Sequence, residues 1–435
     1  MKRILIALLI FMTAPLGMAH ATGYGDEKKT ARDFVNLLEA NNLIIHDQAI
    51  TWTVQQITDR LANHIKEPVY TFKVYVVKDR SVNAFSIPDG DIFINLGLLL
   101  FIQDLDELSA VIGHEMGHCQ LRHYSEDVAS SKKITAATIL GVLAGTLLSS
   151  KNPEAGAAMV LSSVGGSENI RLAYSREHEY AADNFSKEIN IASGVDPSGM
   201  PRFLIRLRTF YGFSDIPEYL LTHPYTENRI MNMKEDSGKP APDNNYWMLY
   251  ASVVGLSLTE SEVNTRSNHI PEPYKSLALG LMQTRIGKNS QALKLLQGVD
   301  LPLAYEYRGL NLYAIGKNAE AYAFLKDYAK SPIGMVALAE ILQGRNQLDE
   351  AIKTLLPLQS QSVRVDYTLG TLYEKTNKPA LAHVSFARYF YRTENSKACI
   401  YHIDEALKAK DLPKDTVDEL KMMKDMMKKG PQNME

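Results

Sequence analysis

Residues 104–123 read DLDELSAVIGHEMGHCQLRH, and the rest of the molecule is arranged around them. Asp104 and Glu107 have the spacing of an N-cap with a capping box, which predicts a long helix running to about His123. On a helix successive residues turn by about 100°, so His118 lies about 40° and Glu115 about 100° from His114, all on one face. Leu105, Leu108, Ile112, Met116 and Cys119 fall between about 120° and 200°, an apolar stripe for the core. The histidines therefore sit off the core-packing face. Two imidazoles one turn apart can bind one zinc ion, and a glutamate beside them can take a proton from zinc-bound water. Such a five-residue pattern also arises in unrelated proteins, so its setting matters.

Zinc of this kind needs a third protein ligand. His123 lies about 140° around from His118 and on a regular helix points away. The extended pattern HExxHxxGxxH fails, because Leu121 and Tyr124 stand at its glycine and last histidine. The ligand must come from elsewhere, and Ser175–Asp183 (SREHEYAAD) is the best source. Glu179 and Asp183 are one helical turn apart, and Ala181 and Ala182 would let this helix pack closely on another. Glu179 could bind the metal while Asp183 orients a metal-bound imidazole. Glu177 and His178 stand as rivals that spacing does not exclude.

Ahead of the motif, residues 22–70 show helical apolar spacing, and Phe72–Val77 (FKVYVV) reads as a strand. Ala84–Ile87, the turn Pro88-Asp89-Gly90 and Asp91–Asn95 predict a hairpin. Its candidate edge, Asn83, Ala84, Phe85 and Ser86, could align an extended peptide through main-chain hydrogen bonds. A hairpin buried on both sides is the alternative. Residues 134–148 (ITAATILGVLAGTLL) are apolar and short of the roughly 20 residues of a membrane span; they read as a buried helical hairpin or as a membrane-touching segment.

The chain has 435 residues, 22% charged and 45% hydrophobic, a globular composition. At roughly 150 residues per domain this length suggests two or three domains. With 47 basic and 50 acidic residues the formal charge is −3, which argues against nucleic acid as a partner. Lys2 and Arg3, an apolar core from Ile4 to Met12 and Ala19-His20-Ala21 form the pattern of a secretory signal peptide over residues 1–21. An N-terminal anchor is the alternative. Export would permit Cys119 to pair with Cys399, although on the apolar stripe Cys119 suits a free thiol.

Glu235–Asn245 (EDSGKPAPDNN) reads as a linker, placed at 236–245. Beyond it, Gly280, Gly287 and Ala292 recur at the same intervals as Gly309, Gly316 and Ala321, and as Gly370, Asn377 and Ala382. Ala337, Gly344 and Ala351 fit more loosely. Helix pairs at this period resemble tetratricopeptide (TPR) repeats, which stack into a solenoid; an ordinary bundle is the alternative. They are assigned to 246–410, with a polar tail, 411–435, whose methionine-rich run reads as a solvated helix.

HEMGH and SREHEYAAD, separated by 56 residues, together resemble the HtpX-type zinc metallopeptidases. Asn83–Leu98 and Thr222-His223-Pro224, with Arg229 six residues after His223, match the same family. The signal peptide and repeats point to the BepA-like group of periplasmic proteases. The specific likeness covers about 22–235. The resemblance implies an α+β fold: a mainly helical, zincin-like metallopeptidase domain at 22–235 with a small β-sheet, followed by an all-α TPR-like solenoid. It implies one Zn2+ per chain on His114, His118 and Glu179, with Glu115 as base. His223 would be a fourth ligand that keeps the enzyme latent, an oxyanion donor, or a turn histidine. Arg229 would stabilise the same developing charge or pair with a carboxylate. Asp89 departs from the glycine often found at that turn. The implied activity is endopeptidase cleavage of unfolded, misfolded or misassembled envelope proteins in the periplasm. Partners would include outer-membrane assembly machinery, with no transmembrane span in the mature chain and peripheral membrane contact open. A non-proteolytic chaperone or scaffold is the rival reading.

Overall fold

The computed structural model describes residues 24–130, 136–149, 151–164, 174–212, 218–223, 229, 241–359, 362–393 and 395–429. The expected signal peptide, Pro224 and the first half of the expected linker lie outside these residues. The chain divides into two units, one ending at Leu258 and the other opening at Thr259.

In the first unit four strands form one sheet: β1 (Ile44–Ile45), β2 (Lys73–Val77), β3 (Ala84–Ile87) and β4 (Asp91–Asn95). Their order is β1-β2-β4-β3, with β2 and β4 parallel and the other pairs antiparallel. The expected hairpin is β3–β4. Its turn places Asp89 at φ +78° and Gly90 at φ +84°. Aspartate tolerates this left-handed region better than most residues, so it can stand at a turn position that suits glycine.

Strand residues alternate between two cores. Val77, Phe85, Ile87 and Phe93 face Phe34 and Leu38 of helix Tyr24–Ala40 and Leu140, Ala144 and Leu147 of helix Ala136–Ser149. Val76, Ala84, Ile92 and Ile94 face the other way, with Val54 and Leu61 of helix Gln48–Ala62 and Leu108, Ile112 and Met116 of the motif helix. Both faces are thus covered, yet β3 is the sheet's edge strand, with β4 its only strand neighbour among the described residues. Helix Ala136–Ser149 pairs with Pro153–Val164, and a Cβ on Gly145 would come within 2.9 Å of Gly156 O. The described part of that apolar segment, from Ala136 onward, is thus one arm of a helical hairpin packed on the sheet. Among the described residues no helix is long and apolar enough to cross a membrane.

The motif helix spans Leu105–Gln120. Asp104 caps it, its Oδ1 accepting from the Glu107 N–H at 2.8 Å. The Glu107 carboxylate does not close the expected box. It accepts from Gln103 N–H at 2.9 Å and pairs with Arg206 at 2.6 Å. The helix also stops short of His123: Leu121 caps it, Arg122 turns left-handed at φ +57°, and a second helix, His123–Ser130, begins.

The acid-bearing helix, Arg176–Ala192, starts at the N-cap Ser175 and packs along the motif helix. Small residues permit the approach. A Cβ on Gly117 would lie 3.0 Å from Ala182 Cα, and one on Gly113 would lie 2.8 Å from Ser186 Oγ. Ala182 is fully buried in this contact.

Helix Asn244–Ser257 belongs to the first unit. Tyr246, Leu249 and Val253 join its core, and Tyr246 donates to Ile102 O at 3.0 Å. The division therefore falls at Leu258 rather than in the polar stretch before residue 246.

The second unit opens with a complete capping box of Thr259 and Glu262. Four helix pairs follow: Tyr274–Arg285 with Asn289–Leu296, Pro302–Ala314 with Asn318–Tyr328, Pro332–Gly344 with Leu348–Leu355, and Val363–Lys375 with Pro379–Arg392. Each pair turns on a left-handed residue: Gly287, Gly316, Asn346 and Asn377. In the third pair this residue is Asn346, not Gly344. The register then becomes regular, because Ala339 stands seven residues before Asn346 and Ala351 five after. The small residues seven before each turn let the partner helix close in. A Cβ on Gly280, Gly309 or Gly370 would meet Leu296, Leu325 or Phe386 at 2.5–2.7 Å.

The segment expected as a polar tail contains helix Lys414–Lys429, which buries Leu420 and Met423 against Cys399 and Ile403. Met422 and Met426 of its methionine run are exposed. Cys119 and Cys399 are both buried free thiols.

Candidate metal centre

The two helices bring their polar faces together below β3. His114, His118, Glu179 and His223 each offer one ligand atom, and these atoms lie within 4.8 Å of one another. All four side chains are at most 1% exposed. His118 Nε2 lies 3.1 Å from His114 Nε2 and 3.3 Å from Glu179 Oε1. His223 Nδ1 lies 3.2 Å from His114 Nε2 and 2.9 Å from Glu179 Oε1. Ligands about 2.0–2.1 Å from a tetrahedral zinc would stand roughly 3.3 Å apart, so these separations fit such an ion. Three imidazoles and a carboxylate are a donor set that zinc takes readily. Among the described residues Glu115 Oε1 and His223 Nε2 are buried with no hydrogen-bond partner. Glu179 is buried, whereas Glu177 is exposed and the half-buried His178 faces Glu126 at 3.2 Å. Helix phase thus separates Glu179 from both rivals.

Glu115 lies beside the cluster, its Oε1 3.3 Å from His223 Nε2. Its other oxygen accepts from Ser86 Oγ at 3.1 Å. Ser86 projects from β3, which ties the edge strand to the carboxylate; Ala84 shares that face, Phe85 lies on the other, and Asn83 O accepts from Asn95 N–H at 3.0 Å.

Asp183 sits behind His114, with Oδ1 2.9 Å from Nδ1. Arg229 is 1% exposed and lies across the two buried carboxylates of the acid helix, Glu179 and Asp183. It donates to Asp183 from Nε at 2.7 Å and from Nη2 at 2.9 Å, and its Nη1 is 2.5 Å from Glu179 Oε2. Of the two roles considered for Arg229, its position is that of carboxylate pairing.

Burial holds His118 well below the usual imidazole range, against the pull of Glu179. Burial would raise Glu179, but His223 and His114 hold it well below the usual carboxylate range. Asp183 is likewise held down by His114 and Arg229 despite its burial. His223 moves upward, because Glu179 and Glu115 outweigh its burial. A neutral His118 and an ionised Glu179 are the forms that coordinate a metal.

Two tyrosines escaped the sequence reading, and one histidine stands where it was not expected. Tyr174 stacks on His118 with centroids 3.9 Å apart, and Tyr219 stacks on His223 at 4.6 Å. His123, expected to point away, brings its Nδ1 to 3.0 Å from His118 Nδ1. Burial, with His178 and His114 adding to it, pushes His123 down to about 4. The break at Arg122 accounts for its position, and no glycine or proline marks that break.

Residues 49–237 match the profile of Peptidase family M48. The matched segment contains every residue of the cluster. A putative beta-barrel assembly-enhancing protease of Vibrio cholerae serotype O1 is 31% identical over 53% of this chain and 48% of its own length. The beta-barrel assembly-enhancing protease of Yersinia pestis is 28% identical over 87% of this chain and 76% of its own. The metalloprotease LoiP of Escherichia coli K12 is 31% identical over 33% of this chain and 54% of its own. The chain thus spans about half the length of most of the curated relatives it matches.

Proposed function

We propose that the chain is an exported, zinc-dependent endopeptidase that cleaves misfolded or misassembled envelope proteins in the periplasm. The observation that carries this reading is the convergence of four ligand atoms within 4.8 Å beside Glu115. A zinc ion held there by His114, His118 and Glu179 would polarise the scissile carbonyl and acidify water. Glu115 takes the proton of the attacking water and passes it to the leaving amine. Ser86 holds the Glu115 carboxylate toward the cluster, and Asp183 fixes the ring of His114. The outer edge of β3 receives the substrate as an added strand, which aligns a peptide while asking little of its sequence.

His223 stands where a reacting water would need to be, between Glu179 and Glu115. We propose that it holds the resting enzyme latent and must move for turnover. The names of the Vibrio and Yersinia relatives, both assembly-enhancing proteases, support outer-membrane protein assembly as the setting. The helix pairs of the second unit form a TPR-like solenoid that recruits substrate or the assembly machinery. The test is digestion of an unfolded protein and of its folded form by metal-stripped and zinc-restored protein. Zinc-dependent cleavage of the unfolded form supports the proposal, and cleavage that survives metal removal contradicts it.

The second unit, with its own apolar core, also favours a scaffold reading in which the site stays latent. That reading predicts that Glu115→Gln restores envelope function in cells lacking the protein, while a chain ending at Leu258 does not.

A further inference from the structure

The two motif histidines are held from behind by different chemistry. His114 Nδ1 faces a carboxylate, Asp183 Oδ1, at 2.9 Å. His118 Nδ1 faces another imidazole, His123 Nδ1, at 3.0 Å. We propose that His123 is a positioning residue that fixes the ring and tautomer of His118, so that Nε2 of His118 presents its lone pair to the metal. The inference rests on the metal reading of the site.

Two facing nitrogens at that distance share one proton, so one donates and the other accepts. His118 Nε2 is the atom that meets His114 and Glu179 in the cluster. Its proton must therefore sit on Nδ1, and His123 Nδ1 accepts it. His123 is 4% exposed and cannot trade this partner for bulk water. Its own plane is set by a parallel stack on His178, with centroids 4.2 Å apart and planes 8° apart. The His178 ring is held in turn by Glu126, and its backbone N–H donates to the N-cap Ser175 Oγ. The first turn of the acid helix thus braces His118 through His123, just as its second turn braces His114 through Asp183. Tyr174 closes the remaining face of His118. An imidazole partner orients a ligand without adding negative charge to a site that already holds Glu115, Glu179 and Asp183.

The test compares zinc affinity, by competition with a chromophoric chelator, for the full-length wild type, His123→Asn and His123→Phe. Asparagine keeps an acceptor near the position of Nδ1. Phenylalanine keeps the stack on His178 and removes the acceptor. His123→Phe is expected to bind zinc about ten- to a hundred-fold more weakly, with His123→Asn within a few-fold of wild type. A His123→Phe variant as tight as wild type, or a His123→Asn variant as weak as His123→Phe, overturns the inference. A 15N spectrum of zinc-loaded wild type needs no variant to fold. A coupling between the two Nδ1 nitrogens with the proton on His118 is expected, and a proton on His123 Nδ1 overturns the assignment. Failure of wild type to take up zinc would instead overturn the metal reading beneath it.

Discussion

Nε2 of His223 lies 3.3 Å from Oε1 of Glu115, while Nδ1 of the same ring lies 2.9 Å from Oε1 of Glu179. One imidazole thus spans the proposed base and a proposed ligand. If this contact is a resting block, His223→Ala should raise the initial rate of unfolded-protein cleavage several-fold with zinc still bound. A rate that falls by about ten-fold or more would assign His223 to stabilising the oxyanion instead.

Arg229 neutralises two carboxylates that burial would otherwise destabilise. Removing one partner of a buried pair typically costs about 3–5 kcal/mol, because the other charge is left uncompensated. Arg229→Met should lower the urea stability of the metal-free first unit by an amount in that range. A loss below about 1 kcal/mol would show that Asp183 and Glu179 do not depend on it.

Asp91 opens β4 and is 8% exposed. Burial pushes its carboxyl from 3.8 up to about 7, with Asp89 adding to this and Lys73 opposing it. The folded state thus favours the neutral acid. That contribution is present below about pH 4 and is lost as pH rises through about 7. Asp91→Asn should therefore match wild type in chemical denaturation at pH 4 and exceed it by up to a few kcal/mol at pH 8. Equal stabilities at pH 8 would contradict the assignment.

Alanine ordinarily improves on glycine within a helix by about 0.5–1 kcal/mol. At Gly309 the sign should reverse, because a Cβ would lie 2.7 Å from Leu325 Cγ. Gly309→Ala should cost the second unit about 1–3 kcal/mol. Gly344→Ala, with open space at its Cβ, should be neutral or stabilising. Thermal unfolding of the two variants distinguishes them.

The motif helix and its partner were legible because their chemistry is local. HEMGH places its own side chains by helical geometry, and a second short helical pattern offered Glu179, with Glu177 and His178 left as rivals until the helix was placed. His123 was not legible, because a regular helix puts it about 140° from His118 and only the left-handed Arg122 brings it back. The hairpin was readable from its turn, whereas the contact of Ser86 with Glu115 depends on how the sheet lies against the helix. In the repeats, Gly344 drew the turn two residues early. Asparagine also adopts left-handed backbone, and Asn346 fills that place. Helix Asn244–Ser257 looked like the start of the repeats, since a helix's apolar residues do not say which core they join.

The claim that Glu115 is the base of a zinc peptidase is tested most directly by Glu115→Gln. Zinc content and cleavage of an unfolded protein are measured on the same zinc-loaded samples of wild type and variant. The account predicts one zinc per chain in both, with cleavage by wild type and none by the variant. Cleavage by Glu115→Gln at the wild-type rate would contradict it.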